Sequence, residues 1–150
     1  MKEIPLGDLD LAVVSHKDGV PRCVVTLPTG AVTTVLFGRQ LDACVATPLH
    51  YILFLSNDLI YDERLHIYLV DTQATVLDQA RLGALDTAAF LSELTMDSAE
   101  RIQFSFFGGD CWEILLHETP RSVWNSLFSG SPWVWRPRLR RRYFDLRSVE

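Results

Sequence analysis

Short apolar stretches broken by turn residues run through most of this chain, and that punctuation restricts it to antiparallel β architectures built from hairpins. Leu11–Ser15 and Val20–Leu27 flank Asp18-Gly19, a pair suited to the positive φ angles of a type I′ turn. Pro28-Thr29-Gly30 then turns the chain into Ala31–Phe37, so three successive strands predict a meander. Leu49–Ser56 is apolar on both faces, which places it in the middle of a sheet. Arg64–Asp71 and Thr75–Leu82 bracket Thr72-Gln73-Ala74 as a further hairpin. Leu65, Ile67 and Leu69 share one face of its first arm; His66, Tyr68 and Val70 share the other.

The clearest hairpin joins Arg101–Phe107 to Cys111–Glu118 through Gly108-Gly109-Asp110. A loop of those three residues sets Phe106 opposite Trp112, Phe104 opposite Ile114 and Ile102 opposite Leu116, on one face. Arg101, Gln103 and Ser105 then share the opposite face with Glu113, Leu115 and His117. A slip of one residue exchanges the two faces, so burial of one of them holds the register.

Three segments read as helical. Leu41, Cys44 and Val45 give Arg39–Thr47 the spacing of a short helix or irregular turn. Asp86 caps an expected helix from Thr87 to about Leu94, with Phe90, Leu91 and Leu94 as its buried stripe. Thr119-Pro120 starts, and Gly130 stops, a helix carrying Val123, Trp124, Leu127 and Phe128 on one side. The fold class expected from these elements is α+β, mostly β. It is an antiparallel curled sheet or sandwich of about 7–8 strands built from hairpins, with two or three short covering helices.

At 150 residues, 48% hydrophobic and 22% charged, the sequence suits one domain, 1–150. Its formal net charge of −5 is unevenly spread. Residues 1–120 hold 7 basic and 17 acidic side chains, a net of −10. Residues 121–150 hold 7 arginines against Asp145 and Glu150, a net of +5. The domain therefore divides into an acidic β-rich body, about 1–118, and a basic Arg/Trp-rich C-terminal helix and arm, about 119–150. The first residues lack the basic start and apolar core of a signal peptide, and the strongest apolar run, Tyr51–Leu55, is far below the ~20 residues of a membrane span. A cytoplasmic location without membrane contact is the expectation. Cys23, Cys44 and Cys111 are an odd number at wide spacing, which predicts buried thiols rather than disulfides or a zinc site.

The C-terminal segment is the candidate partner-binding site: Trp133, Trp135, Arg136, Arg138, Arg140, Arg141, Arg142 and Tyr143. In an extended arm Arg136, Arg138, Arg140 and Arg142 alternate onto one side, with Leu139, Arg141 and Tyr143 on the other. Guanidinium groups interleaved with rings suit the phosphates and bases of a single strand. They equally suit carboxylates of the acidic body, in the same copy or a second one, because the planar fork bonds both oxygens. The histidines His16, His50, His66 and His117 show no metal-ligand spacing, and no metal or cofactor is expected. Asp58, Asp62 and Glu63 with Tyr61 read as solvated loop acids. Cys111 and His117 lie six residues apart on one strand, roughly 20 Å, too far for a thiol and its base. Phosphate-loop, dinucleotide and nucleophile-elbow motifs are absent.

The leading expectation is a non-enzymatic, cytosolic protein-interaction domain. Its partner is a second copy of itself, or a basic protein captured by the acidic body as a small inhibitor would capture it. The alternative is single-stranded nucleic-acid binding through the Arg/Trp arm. A second alternative is a small-molecule-binding or hydrolytic β-rich domain, which requires Tyr61, His66 and Cys111 to converge.

Overall fold

The computed structural model of the chain describes residues 1–15, 19–57, 64–83, 89–106, 110–122, 133–137 and 141–149. Among them, thirteen strands form three antiparallel sheets. β1 (Lys2–Glu3), β5 (Gln40–Ala46), β6 (His50–Ser56), β7 (Leu65–Asp71), β8 (Val76–Leu82) and β12 (Val134–Trp135) form a six-stranded sheet in the order β1-β5-β6-β7-β8-β12. β9 (Ser92–Met96), β10 (Arg101–Phe106), β11 (Asp110–Arg121) and β13 (Arg142–Val149) form a four-stranded sheet, β13-β11-β10-β9. β2 (Asp10–Ser15), β3 (Arg22–Thr26) and β4 (Leu36–Phe37) form the smallest.

The six-stranded sheet is the middle of three layers. Alternate side chains of its central strands enter two separate cores. Ala43, Val45, Ile52, Phe54, Leu65, Ile67 and Leu69 meet Ile102, Phe104, Trp112, Ile114 and Phe144 of the four-stranded sheet. Cys44, Leu53, Leu55, Tyr68 and Val70 meet Cys23, Val25, Leu27 and Leu36 of the three-stranded sheet. The two faces assigned to β7 from its alternation are those it buries. Leu49–Ser56 does supply a central strand, β6, between β5 and β7.

Among the described residues the expected covering helices are not found, and the fold is nearly all β. Among the described residues the one helical element is the single 3-10 turn Leu6–Asp8. Arg39–Thr47 yields strand β5 instead of a helix or turn. Both of its faces are covered, so apolar residues occur without the alternation that marks a half-buried strand. The expected helix Thr87–Leu94 is overturned by β9, where Ser92, Leu94 and Met96 turn partly inward while Glu93 and Thr95 are exposed. Phe90, assigned to a buried stripe, is 75% exposed. Asp86 and residues 84–88 lie outside the described residues. Thr119-Pro120 does not open a helix but continues β11 as far as Arg121. Pro120 is accommodated because pairing with β13 is interrupted between Leu116 and Arg121, where no ladder hydrogen bond from its nitrogen is needed. The rest of that expected helix, 123–130, lies outside the described residues.

The strand assignments fared better. β2 and β3 pair as expected, with a bulge between Val13 and Ser15, although Asp18 lies outside the described residues. Ala31–Phe37 forms the short β4 and one isolated bridge, Thr26 to Val32. The β10–β11 register differs from the expected one by two residues: Phe104 faces Trp112 and Ile102 faces Ile114. A shift of two preserves the faces, so Ile102, Phe104, Phe106, Trp112 and Ile114 are still the core side.

The basic C-terminal end is integral to this architecture. β12 is an edge strand of the middle sheet, and β13 pairs with β11 from Val149 to Phe144. No helix among the described residues is long and apolar enough to cross a membrane.

Candidate interaction surfaces

Arg136 acts as a clip between layers. Its Nη2 lies 2.7 Å from Asp78 Oδ2, its Nε donates to the Gln79 carbonyl at 3.0 Å, and its Nη1 donates to the Phe144 carbonyl at 3.1 Å. The guanidinium also lies 4.4 Å from the Phe144 ring centroid. Asp78 is completely buried at the margin of the larger core. Its other bonds come from the backbone N–H of Tyr143 at 2.8 Å and of Gln79 at 2.8 Å. A buried carboxylate needs such satisfaction, because unpaired charge in a core is costly. Arg142 is buried too, with Nη1 donating to the Pro137 carbonyl at 3.2 Å. Burial and the neighbouring Arg136 charge lower its pKa, against the pull of Asp78 and Asp145.

These contacts redistribute the sequence-derived site. Arg136 and Arg142 are committed within the fold. The Tyr143 ring packs edge-on to His50, with centroids 6.1 Å apart. Arg141 is exposed, and Trp133 and Trp135 are each 46% exposed. Arg138 and Arg140 lie outside the described residues.

The smallest sheet presents a second surface. Its inward residues, Cys23, Val25 and Leu36, are buried in the second core. Its outward face carries Ala12, Val24, Val32 and Val35, with Val32 and Val35 54% and 56% exposed, and Val14, 50% exposed, sits in the bulge between Val13 and Ser15. Asp10, paired with Thr26, stands at one end of this face, and Arg22, paired with Ser15, at the other. β2 leaves one edge unpaired among the described strands.

A third grouping crosses from the small sheet to the β12 edge. The Arg22 guanidinium lies 5.4 Å from the Phe37 ring centroid, and the Phe37 ring stacks on His66 at 5.9 Å and 29°. His66 is the cross-strand partner of Arg81, which is the partner of Trp135; the Arg81 guanidinium lies 5.0 Å from the Trp135 ring. Phe37 is 40% exposed, whereas His66 between them is buried and bonded to Asn57 Oδ1 at 3.1 Å. Burial, followed by the charges of Arg81 and Arg64, pushes the His66 pKa down to about 3, so its ring is neutral. The Phe37 N–H donates to the Tyr68 hydroxyl at 3.0 Å, which fixes this corner of the small sheet to the middle one.

The outward face of the four-stranded sheet carries a cluster of ion pairs and hydrogen bonds. Glu113 is buried there: Arg147 reaches Oε1 at 2.7 and 2.9 Å, while Gln103 and Arg101 reach Oε2 at 3.3 and 3.4 Å. Burial raises the Glu113 pKa, but the Arg147 and Gln103 bonds and the arginine charges outweigh it and lower the value. Ser105 Oγ donates to Glu93 Oε2 at 2.8 Å, and His117 Nε2 lies 3.3 Å from Asp145 Oδ1.

His66 and Cys111 do not converge. His66 lies on the middle sheet's face toward the small sheet, and Cys111 on the outward face of the four-stranded sheet. Tyr61, Asp58, Asp62 and Glu63 lie outside the described residues. Cys23 and Cys44 are buried free thiols, pushed by burial up to about 11 and about 12. Among the described residues, no cluster of three or more His, Cys, Asp or Glu is arranged to hold a metal ion.

Sequence reasoning missed the Arg22–Phe37–His66–Arg81–Trp135 row because its members come from five strands, and their adjacency requires the sheet order. The one readable signal was the shared face of His66 and Tyr68. No family model matches the chain, and no curated protein or solved structure matches it.

Proposed function

We propose that the protein is a non-catalytic protein-interaction domain that pairs with a second copy of itself through the outward face of its three-stranded sheet. The observation that carries this reading is the apolar patch of Ala12, Val24, Val32 and Val35 between opposite charges at Asp10 and Arg22. Exposed contiguous apolar surface bounded by polar groups is the usual mark of an interface. The charge order makes the patch self-complementary. When two copies face each other about a two-fold axis perpendicular to the strands, Asp10 of each meets Arg22 of the other. The C-terminal arginines suit an intermolecular role less well than the sequence suggests, because Arg136 and Arg142 are spent within their own chain.

Light scattering on the purified protein tests the reading. The expected mass is twice the 17.1 kDa of the chain. Replacing exposed Val32 and Val35 together by Lys should return it to the monomer value with an unchanged circular dichroism spectrum. A wild-type protein that stays monomeric at high concentration, or a double variant that still dimerises, contradicts it.

A further inference from the structure

We infer that the free edge of β2 is a docking site for an extended segment of a partner protein, which adds to the three-stranded sheet as a fourth strand and carries basic residues at its C-terminal end. The edge lies at right angles to the apolar face proposed for self-association, so the two contacts use different groups and stand or fall separately.

Among the described residues the three sheets end in six edge strands, and five of them are short, bent or covered. β1, β4 and β12 have two residues each. β9 is irregular in its pairing with β10, and Glu93 within it has a φ of 53°, outside extended geometry. β13 is longer, but side chains of the Arg136 clip occupy its start. The Tyr143 N–H donates to Asp78 Oδ2 at 2.8 Å, the Phe144 carbonyl accepts from Arg136 Nη1 at 3.1 Å, and charged Asp145 and Arg147 follow. Shortness, bulges, charges and covering groups are the usual protections of a sheet edge. β2 differs: it has six residues, Asp10–Ser15, and every side chain from Leu11 to Val14 is apolar.

Asp10–Val13 pairs in register with Thr26–Cys23, and the bulge begins only after Val13. In such a ladder half of the N–H and C=O groups turn away from the neighbouring strand. No other strand or loop among the described residues bonds to them. Val13 adds an apolar seat. It stands opposite Cys23, which is fully buried on the inward side, yet Val13 is 41% exposed. The inward side of the small sheet is therefore open at this edge, beside Leu11, which packs on the second core. An inward-pointing residue of an added strand covers Val13 while its backbone completes the ladder. In strand addition of this kind, main-chain hydrogen bonds supply affinity and alternate side chains supply selectivity.

The charge around the edge sets the chemistry of the partner. Asp8 and Asp10, both exposed, stand at the start of β2, and residues 1–120 carry a net charge of −10. A strand antiparallel to β2, the arrangement found in all three sheets, brings its C-terminal end to these carboxylates. Lysine or arginine there is complementary to them, and β-branched residues before it suit the pleat against Val13.

Fluorescence anisotropy of the full chain with an N-terminally labelled peptide, Thr-Val-Thr-Val-Lys-Lys, tests the inference. Saturable binding that weakens as salt rises is expected. Of two such peptides methylated on alternate backbone nitrogens, one should bind about tenfold more weakly, the loss of one or two hydrogen bonds, and the other close to the parent. Only alternate N–H groups of an added strand reach β2. Val13→Lys, which sets a charge on the edge, should abolish binding with an unchanged circular dichroism spectrum. The paired Val32 and Val35 lysine variant should bind as the wild type does, whatever its mass. Failure of the wild type to bind at low salt overturns the inference, as do two methylated peptides that bind alike. So does a Val13→Lys chain that loses a dimer mass shown by the wild type, since the edge would then belong to a second copy.

Discussion

Arg136→Met should cost about 3–5 kcal/mol of stability in urea unfolding, the range found when one partner of a buried ion pair is removed. The reason is Asp78, which has no exposed surface and whose Oδ2 lies 2.7 Å from Arg136 Nη2. Deleting the guanidinium also releases the Gln79 and Phe144 carbonyls, so three joints between the middle sheet, the β12 connection and β13 are lost together. Adding Asp78→Asn should recover more than half of the loss. The neutral amide no longer carries an uncompensated charge, and its oxygen can still accept from the N–H of Gln79 or Tyr143. A single variant that loses less than about 1 kcal/mol, or a double variant no better than the single, would mean that the clip does not hold the layers.

The second large effect is on pH. The unfolded chain takes up a proton on His66 below about pH 6.5, whereas the folded chain does so only below about 3. Between those values the unfolded state binds more protons, so stability falls as pH falls, by on the order of 1 kcal/mol for each pH unit. The loss starts above the range in which carboxylates titrate. His50 acts in the same direction: burial lowers its pKa, and the Asp71 charge opposes the shift. Glu113, whose pKa is lowered, adds stability above the ordinary carboxylate range that disappears only on further acidification. Urea midpoints measured from pH 7 to pH 4 should fall steadily for the wild type. They should fall more slowly for His66→Gln, which keeps an amide for Asn57 and has nothing to titrate. Parallel curves for the two proteins would show that His66 is protonated in the folded chain.

What could be read from the sequence was the parity of side chains, and what could not was the number of layers. The faces of β7 and β10 follow from alternation, and they survive even where the β10–β11 register is displaced by two, because only odd shifts exchange faces. β5 was read as helix or turn for the same physical reason that makes it central. With a core on each side, Ala43, Cys44 and Val45 are all buried and the period-2 signal vanishes. Ser92–Met96 is short, and Asp86 upstream imitates a helix cap, so local chemistry pointed away from the edge strand that tertiary pairing with β10 imposes. The charge split was legible as a number and misleading as a map. Arg136 and Arg142 turned inward to Asp78 and Pro137, while His66, Arg81 and Trp135, dispersed in the sequence, came side by side across the middle sheet. Side-chain partners across a sheet depend on strand order, which no local pattern encodes.

A charge exchange across the small sheet tests the self-association account most directly. Asp10→Arg and Arg22→Asp should each reduce the light-scattering mass toward 17.1 kDa, because each sets like charges against one another across the two-fold. The chain carrying both changes should regain the dimer mass, since the exchanged pair is again complementary. A double variant that remains monomeric while the wild type dimerises would contradict pairing through this face.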